Sequence, residues 1–290
     1  DTYEDQEYSR WEQVVDRYSE KDWEDGEFDE FKAAAKEVIE KGISSIPEAY
    51  FEIVEPQEFE AQEVTETMEE FPEDEEGARA GFDYTITEDE STIRAKYIYI
   101  QERTSLSASG KVSSMTTEKS IPFRVDLDEG LVISETLHSP RVQKLGSIIT
   151  DETILSVTPC KRNDFRGSHL DSIVDEFRNK NGFLGVNEVK IFDPDADNKR
   201  EGLTDIDFEG RNISGHDKIQ DLRDDGWEVD GVSLDFRLGD QIHEIVISCG
   251  DRMTYAKIDD IKRDYSRAKD YMDDVVREMY MEHVRDPEYR

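Results

Sequence analysis

The sequence predicts an α+β protein with two N-terminal helices, mainly antiparallel sheet regions with packed helices, and a long amphipathic helix at the C-terminus. Three observations lead to this prediction. Apolar residues recur with the helical period near both ends of the chain. Between these ends, short apolar runs alternate with turn residues such as Gly, Asn and Asp, which is typical of antiparallel strands. No run of 18 apolar residues occurs, so the sequence holds no candidate transmembrane helix.

Two amphipathic helices are predicted at the N-terminus, over residues 4–20 and 27–41. Each range places its apolar residues on one helical face, and Gly42 is a suitable C-terminal cap for the second helix. We therefore predict an N-terminal helical segment over residues 1–48.

Two further units are predicted, an α+β domain over residues 49–180 and a C-terminal α+β unit over residues 181–290 that ends in a long helix. The boundary is placed where Asn181-Gly182 and Gly185 interrupt the apolar patterns. In the first unit, Ser139-Pro140 predicts a helix start, with Ser as the cap and Pro in the first turn. Strands are predicted at 49–54, 82–87, 93–103, 112–120, 123–127, 131–135 and 154–158.

The second half of the chain mixes helices and strands. A helix is predicted over residues 170–178 and another over residues 214–225, with a strand over residues 203–208 between them. Two runs, 231–238 and 241–248, predict a β-hairpin because only Gly239-Asp240 separates them.

The last predicted element is a helix of three heptads with an apolar seam on one side. Ala268 is small and Glu282 occupies the next seam position, so the seam is weak for a free-standing coiled coil. Docking on the chain's own sheet is favoured, and pairing with a second chain is left open. The predicted interface residues are Ile258, Ile261, Tyr265, Ala268, Met272, Val275 and Met279.

The chain is strongly acidic, because 72 Asp and Glu residues face only 36 Lys and Arg residues and the net charge is −36. At low ionic strength such a charge opposes compaction, whereas at molar salt the Debye length falls to about 3 Å and the repulsion is screened. In composition the whole chain resembles the halophilic archaeal proteins as a class. This resemblance implies an acidic surface adapted to a high-salt cytoplasm. An acidic protein of an ordinary cytoplasm and a mimic of nucleic acid are the alternatives.

Cysteine usage agrees with an intracellular compartment, since Cys160 and Cys249 are too few for a disulfide framework. We expect both thiols to be free. The chain starts without Met, which leaves open whether a leader was removed.

Two acidic patterns suggest metal chemistry weakly. Asp193, Asp195 and Asp197 match the first ligand positions of an EF-hand calcium loop, but Asn198 and Thr204 occupy the positions that need Gly and Glu. Glu188-Val189-Lys190 matches the E-x-K element of metal-dependent nucleases, which also require a carboxylate from a neighbouring strand. An acidic turn and a charged strand are the favoured interpretations.

A few cations suggest nucleic-acid binding, which normally needs a basic face. One group lies in a predicted turn and the other on the strand predicted at 93–103, where the period of two places both cations on one face. Ion pairs to nearby acids are the favoured alternative. The candidate residues are Lys161, Arg162, Phe165 and Arg166 in the turn and Arg94 and Lys96 on the strand.

Catalysis has no positive signal in the sequence. The five His residues lack zinc-ligand spacing, and no nucleophile elbow, P-loop or dinucleotide-binding fingerprint occurs. We therefore predict a non-catalytic interaction or assembly protein adapted to high salt, without a cofactor. A protein partner or a second copy would bind through the C-terminal helix. A nucleic-acid-associated protein is the alternative, and a metal-dependent nuclease or hydrolase is the third choice.

The charge imbalance predicts that folding depends on salt. Screening of the carboxylates should raise the melting temperature steeply between ~0.1 M and ~2 M KCl. Circular dichroism melts across that range measure the effect. An unchanged melting temperature would remove the argument for a high-salt protein and favour a specific acidic function.

Overall fold

The computed structural model describes residues 45–54, 59–71, 80–87, 91–106, 112–160, 168–194, 205–211, 213, 216–249, 254–261 and 265–283. Only the backbone is described at residues 102–106, 112–115, 139, 168–171, 249 and 283. The chain divides into two compact units, residues 1–43 and 44–290, and every described residue belongs to the second. The two predicted N-terminal helices lie outside the described residues.

Eleven strands in the described part of the chain form one sheet, in which all strand pairs are antiparallel. The order across the sheet is β2–β3–β4–β5–β1–β11–β10–β9–β7–β8, and β6 pairs with β1 next to the end of β11. The strands are β1 (Ser45–Ile53), β2 (Ala80–Ile86), β3 (Thr92–Leu106), β4 (Val112–Asp126), β5 (Leu131–Ser134), β6 (Val157–Pro159), β7 (Phe183–Phe192), β8 (Asp205–Glu209), β9 (Glu228–Leu238), β10 (Gln241–Cys249) and β11 (Thr254–Asp259).

The described helices pack against this sheet, and none of them is long and apolar enough to span a membrane. They are α1 (Ala61–Glu66), α2 (Ser139–Glu152), α3 (Ser168–Asn179), α4 (Asp217–Asp224), α5 (Tyr265–Tyr271) and α6 (Arg277–His283). A π-helical segment, Met272–Val276, joins α5 to α6, and we call these three pieces together the C-terminal helix.

The predicted α+β class, with separate sheet regions and packed helices, is wrong. The structure is mainly one large antiparallel sheet with a few short helices. The reason is the pairing of β1 with β11, which joins the strands of both halves of the chain. The predicted domain division near residue 181 stays a prediction, although strands from both sides of that residue belong to this single sheet.

The core has two parts, which lie on opposite faces of the sheet. On one face, α1 and α2 cover the half formed by β2, β3, β4, β5 and β1. On the other face, α3, α4 and the C-terminal helix cover the half formed by β11, β10, β9 and β7. Strands β1, β5 and β11 contribute to both clusters.

Strand β1 is buried on both faces, and its alternating side chains show how the two clusters meet. Tyr50 faces the C-terminal helix and stacks on Tyr280, with ring centroids 3.9 Å apart. Phe51 faces α2, where a Cβ added at Gly146 would lie only 2.7 Å from the Phe51 ring. Gly146 thus allows α2 to approach the sheet closely. This close packing makes β1 the central strand of the molecule.

The C-terminal helix begins later than the sequence predicted. Ile258 belongs to β11, and Asp260, with a φ of 62°, ends that strand in the left-handed region. The helix begins at Tyr265. The error arises because a strand residue and a loop residue, Ile258 and Ile261, happened to continue the heptad spacing.

The π-helical segment changes which side of the helix faces the sheet. Its wider turn inserts one residue, so that Val276 is fully buried whereas Val275 is only partly buried. The residues predicted as an interface lie in the core of the same chain: Ile258, Ile261, Ala268, Met272 and Met279 are buried, and Tyr265 and Val275 are partly buried.

The two adjacent valines test this register. Val276→Asp should lower the free energy of unfolding by about 3–5 kcal/mol, because it buries a carboxylate without a partner. Val275→Asp should cost less than about 2 kcal/mol, since its side chain reaches solvent. Urea denaturation in molar KCl measures both values. A regular α-helix would give the reverse order.

Candidate functional site

The most connected polar group in the described structure centres on Glu48 of β1. This side chain is fully buried, and its carboxylate accepts hydrogen bonds from the guanidinium groups of Arg124 and Arg277. The Arg277 Nη2 atom lies 3.0 Å from Glu48 Oε1, and its Nε atom lies 3.3 Å from Oε2. The Tyr50 hydroxyl donates at 3.1 Å, and Lys269 Nζ lies at 3.4 Å.

The C-terminal helix supplies the other half of this network. Lys269, Asp273 and Arg277 follow each other at intervals of four residues, which places them on one side of the helix. Asp273 accepts from Arg124 Nη1 at 3.0 Å and lies 3.2 Å from Lys269 Nζ. Lys269 Nζ also lies 3.8 Å from a carboxylate oxygen of Glu135. Three cations thus face three carboxylates, and the group links β1, β4 and the C-terminal helix.

Three groups of this network, Asp273, Arg277 and Tyr50, have pKa values displaced by their surroundings. Burial raises the pKa of Asp273, but the charges of Arg124, Lys269 and Arg277 outweigh burial and hold it below its ordinary value. Burial lowers the pKa of Arg277, and the Glu48 carboxylate more than compensates, so that Arg277 stays charged. Burial and Glu48 both raise the pKa of Tyr50, which stays protonated. A buried network whose Asp, Arg and Tyr do not titrate near neutrality is suited to holding elements together rather than to acid–base catalysis.

A second buried polar group surrounds Cys160, which contacts Glu52 on the same face of β1 as Glu48. The Cys160 thiol donates to Glu52 at 3.5 Å, and the Tyr280 hydroxyl lies 3.2 Å from Thr254 Oγ1. Burial and the Glu52 carboxylate raise the pKa of Cys160, which keeps the thiol protonated and unreactive. The thiol is free, as predicted, whereas the side chain of Cys249 lies outside the described residues.

A candidate for binding is the hairpin formed by β3 and β4, because part of it has no further strand neighbour among the described residues. These strands pair in unbroken register from Thr92 opposite Asp126 to Leu106 opposite Val112. Strand β2 pairs with β3 only as far as Tyr99, and β5 pairs with β4 only from Phe123 onward. We call the part beyond these neighbours, residues 100–106 and 112–121, the arm. Seven residues of extended strand correspond to a projection of about 20 Å.

The hairpin also differs from the rest of the chain in charge. Residues 92–126 contain six Lys and Arg residues and three Asp and Glu residues. The other 255 residues contain 30 Lys and Arg residues and 69 Asp and Glu residues. No acidic residue occurs between Glu102 and Glu118, although about one residue in four of the chain is acidic. The hairpin is therefore a region of low negative charge in an acidic protein.

Three cations occupy neighbouring positions at the base of this hairpin. Arg94 lies opposite Arg124 in the pairing of β3 with β4, and Lys96 follows Arg94 on the same face. Lys96 pairs with Asp83 at 2.7 Å, and Arg124 belongs to the Glu48 network. Arg94 is exposed and forms no ion pair with the residues that the structure describes. The sequence placed Arg94 and Lys96 on one face, and the structure adds Arg124 beside them.

Several predicted site residues cannot be placed. Lys161, Arg162, Phe165 and Arg166 of the basic turn lie outside the described residues. Asp195 and Asp197 of the calcium-like pattern also lie outside them. Asp193 is described and is buried at the end of β7. Of these residues, the structure thus describes Asp193 alone.

The E-x-K element lies on β7 beside an acidic edge strand. Lys190 Nζ lies 3.2 Å from Glu188 and 4.0 Å from Asp207 of β8, and the two carboxylates keep the pKa of Lys190 raised despite the opposing effect of burial. Across the described ranges, no group of three or more His, Cys, Asp or Glu side chains is arranged to hold a metal ion. Salt bridges within the sheet account for this cluster.

Sequence reasoning missed the Glu48 network, although two signals were present. Glu48 and Glu52 alternate with Tyr50 within an otherwise apolar run, which places two carboxylates on one face of a buried strand. Lys269, Asp273 and Arg277 repeat at intervals of four with opposite charges. The cations that meet Glu48 lie 76 and more residues away in sequence, so the pattern alone could not pair them.

No protein-family model matches the chain, and no curated protein matches it. The function must therefore be argued from the residues themselves.

The pKa of Asp273 leads to a pH prediction. A carboxyl whose folded pKa is depressed stabilises the fold above its unfolded pKa, and this contribution is lost as the pH falls through the folded pKa. Asp273→Asn should thus lower the free energy of unfolding at pH 7, and its deficit relative to the unchanged protein should shrink below about pH 4. Chemical denaturation at several pH values measures the deficit.

The adjacent Asp274 provides the control, because it is exposed on the same π-helical segment. Asp274→Asn should change the free energy of unfolding little at any pH. A deficit of Asp273→Asn that stays constant between pH 7 and pH 3 would contradict the proposed ion pairing.

Proposed function

We propose that this protein is a non-catalytic interaction or assembly protein of a high-salt cytoplasm, and that the arm of the β3–β4 hairpin is its contact element. The observation that supports the proposal is the arm itself. A two-stranded ribbon without a further strand neighbour among the described residues leaves rows of backbone donors and acceptors available for pairing. Its low content of acidic residues reduces the repulsion that the rest of the chain would exert on another acidic protein.

The contact is placed on the arm rather than on the C-terminal helix for a physical reason. The apolar residues of that helix, such as Met272 and Val276, are fully buried in the chain's own core. A partner would have to displace Tyr280 and break the ion pairs of Arg277 to reach them. The arm offers its edges without such a cost.

Adaptation to salt agrees with the distribution of cations. Arg124, Lys269 and Arg277 are gathered in one partly buried network, where screening by salt acts less than at the surface. The remaining surface is dominated by carboxylates, which need concentrated counterions.

Nucleic-acid binding is the second candidate, because Arg94, Lys96 and Arg124 lie next to each other on one face. A two-stranded ribbon fits the major groove of B-DNA. Two of these cations already have carboxylate partners, however, and the chain as a whole repels phosphate. Metal-dependent hydrolysis is weaker still, for want of a metal-binding group in the described part of the chain.

Removing the arm tests the proposed function. Residues 102–116 can be replaced by Asn-Gly, which joins Gln101 to Thr117 by the tight turn that antiparallel strands favour. The shortened protein should keep its melting temperature within a few degrees, since the removed residues pair with each other and with no other strand that the structure describes. Intact and shortened proteins are then used as baits in a cell extract at ~2 M KCl, and retained macromolecules are identified by mass spectrometry with and without nuclease.

A partner retained only by the intact arm is the expected result. A nuclease-sensitive partner would favour the nucleic-acid candidate instead. Identical sets of retained molecules for the two baits would show that the arm is not a contact element.

A further inference from the structure

The two outer edges of the arm can be assigned from the alternation of hydrogen bonds in antiparallel strands. The Leu127 amide donates to the Ser91 carbonyl at 2.9 Å, so the odd-numbered residues of β3 and β4 bond to each other. The even-numbered residues therefore direct their backbone groups outward. The Pro122 carbonyl confirms this assignment, because it accepts from the Glu135 amide at 3.0 Å on the outer side of β4.

Other edges of the sheet are protected in ways that the arm is not. The outer edge of β2 is covered at Phe82, which exchanges hydrogen bonds with Glu69 and Phe71 at 2.8 and 2.9 Å. The edge strand β8 carries Asp205, Asp207 and Glu209 at exposed positions. Acidic side chains at an edge discourage pairing with another strand.

Among the residues that the structure describes, nothing gives the outer edge of β4 any of these protections. Its register with β3 contains no bulge, and no Pro occurs in the arm before Pro122 at its base. The run from Val112 to Thr117 contains no charged residue, whereas the arm portion of β3 contains Glu102 and Arg103. Among the described strands, β4 has no neighbour on this side before Phe123. Such an unprotected edge is a template for strand addition.

We propose that the occupant of this edge is a second copy of the chain, which pairs its own Val112–Thr117 run antiparallel across a two-fold axis. This inference rests on the proposed function and names its partner. An antiparallel strand edge is complementary to itself under two-fold symmetry, and closed two-fold dimers are the commonest oligomers. Pairing an uncharged run with itself also sets no like charges opposite each other.

Charge favours this occupant in concentrated salt. Each copy carries −36, so two copies repel at low salt, and the repulsion falls when the Debye length shrinks to about 3 Å. Backbone hydrogen bonds do not depend on that screening. Dimerisation should therefore strengthen with KCl, whereas binding to nucleic acid weakens with salt.

Ser114 provides a matched pair of variants. Its amide points outward, so Ser114→Pro removes an outward donor and keeps the hydrogen bonds between β3 and β4. Pro122 already occupies an outward position of the same strand, which shows that β4 accommodates Pro there. Ser114→Ala retains the amide and serves as the control.

Sedimentation velocity of the purified full-length proteins in ~2 M and ~0.1 M KCl tests the proposal. One short strand pair buries less area than a typical stable interface, so the concentration should span roughly 1–200 µM. The unchanged protein and Ser114→Ala should approach twice the monomer mass of 33.6 kDa in high salt. Ser114→Pro should remain a monomer with an unchanged circular dichroism melt.

Two results would overturn the inference. A dimer of Ser114→Pro as stable as that of Ser114→Ala would show that another surface pairs. A monomer of the unchanged protein at every salt concentration would exclude the second copy, and binding of a duplex oligonucleotide by that monomer would identify nucleic acid as the occupant. If the protein is a monomer, a partner that the bait experiment retains only with the intact arm would still support the proposed function. If no such partner is retained, the proposed function and the pairing of two copies are both rejected.

Discussion

The ion network around Glu48 is the interaction on which the arrangement of the C-terminal helix depends. A fully buried carboxylate is strongly unfavourable unless several donors surround it, and Glu48 receives two guanidinium groups, an ammonium group and a hydroxyl. The donors come from β1, β4 and the C-terminal helix, so the carboxylate is satisfied only when all three are in place. Replacing such a network by apolar residues is often neutral for stability, and its role is better understood as fixing one arrangement.

The opposite placement of the two core clusters follows from β1. A strand covered on one face alternates apolar and polar residues, whereas β1 is buried on both faces from Glu48 to Ile53. Its odd residues pack under α2 and its even residues under the C-terminal helix. The two halves of the sheet thus share one strand rather than a conventional domain interface, and a substitution in β1 would disturb both clusters.

The sequence allowed local elements to be predicted far better than their assembly. The hairpin of β9 and β10 is confirmed, with Gly239 at a φ of 61°, because two neighbouring runs and a turn carry all the information it needs. The predicted helical seam is wrong at Val275, because the regular helical period does not hold through the π-helical segment. Nothing in the sequence marks the extra residue that buries Val276 instead of Val275. The single sheet was missed because residues 45–49 pair with residues 255–259, and periodicity does not specify distant partners.

For the candidate site, the shared face of Arg94 and Lys96 followed from the period of two. The arm could not be predicted in the same way, because the apolar pattern of a strand does not show where its neighbouring strands end. The partners of Glu48 could not be predicted from the sequence either. A carboxylate in a buried strand requires cations nearby, but the sequence does not show which cations these are. These are long-range properties of the fold.

The pairing of β1 with β11 has a consequence for the order in which the chain acquires its structure. β1 is the first described strand and β11 the last, so the edge of β1 facing β11 stays open until nearly all of the chain has been synthesised. The half containing β2 to β5 can form earlier, because β5 pairs with the other edge of β1 after far fewer residues. Contacts between such distant segments slow folding, since a long loop must close before they contribute. During that interval Tyr50 and Glu48 lack the helix that covers them, and the half-formed sheet exposes an apolar face whose protection would fall to chaperones.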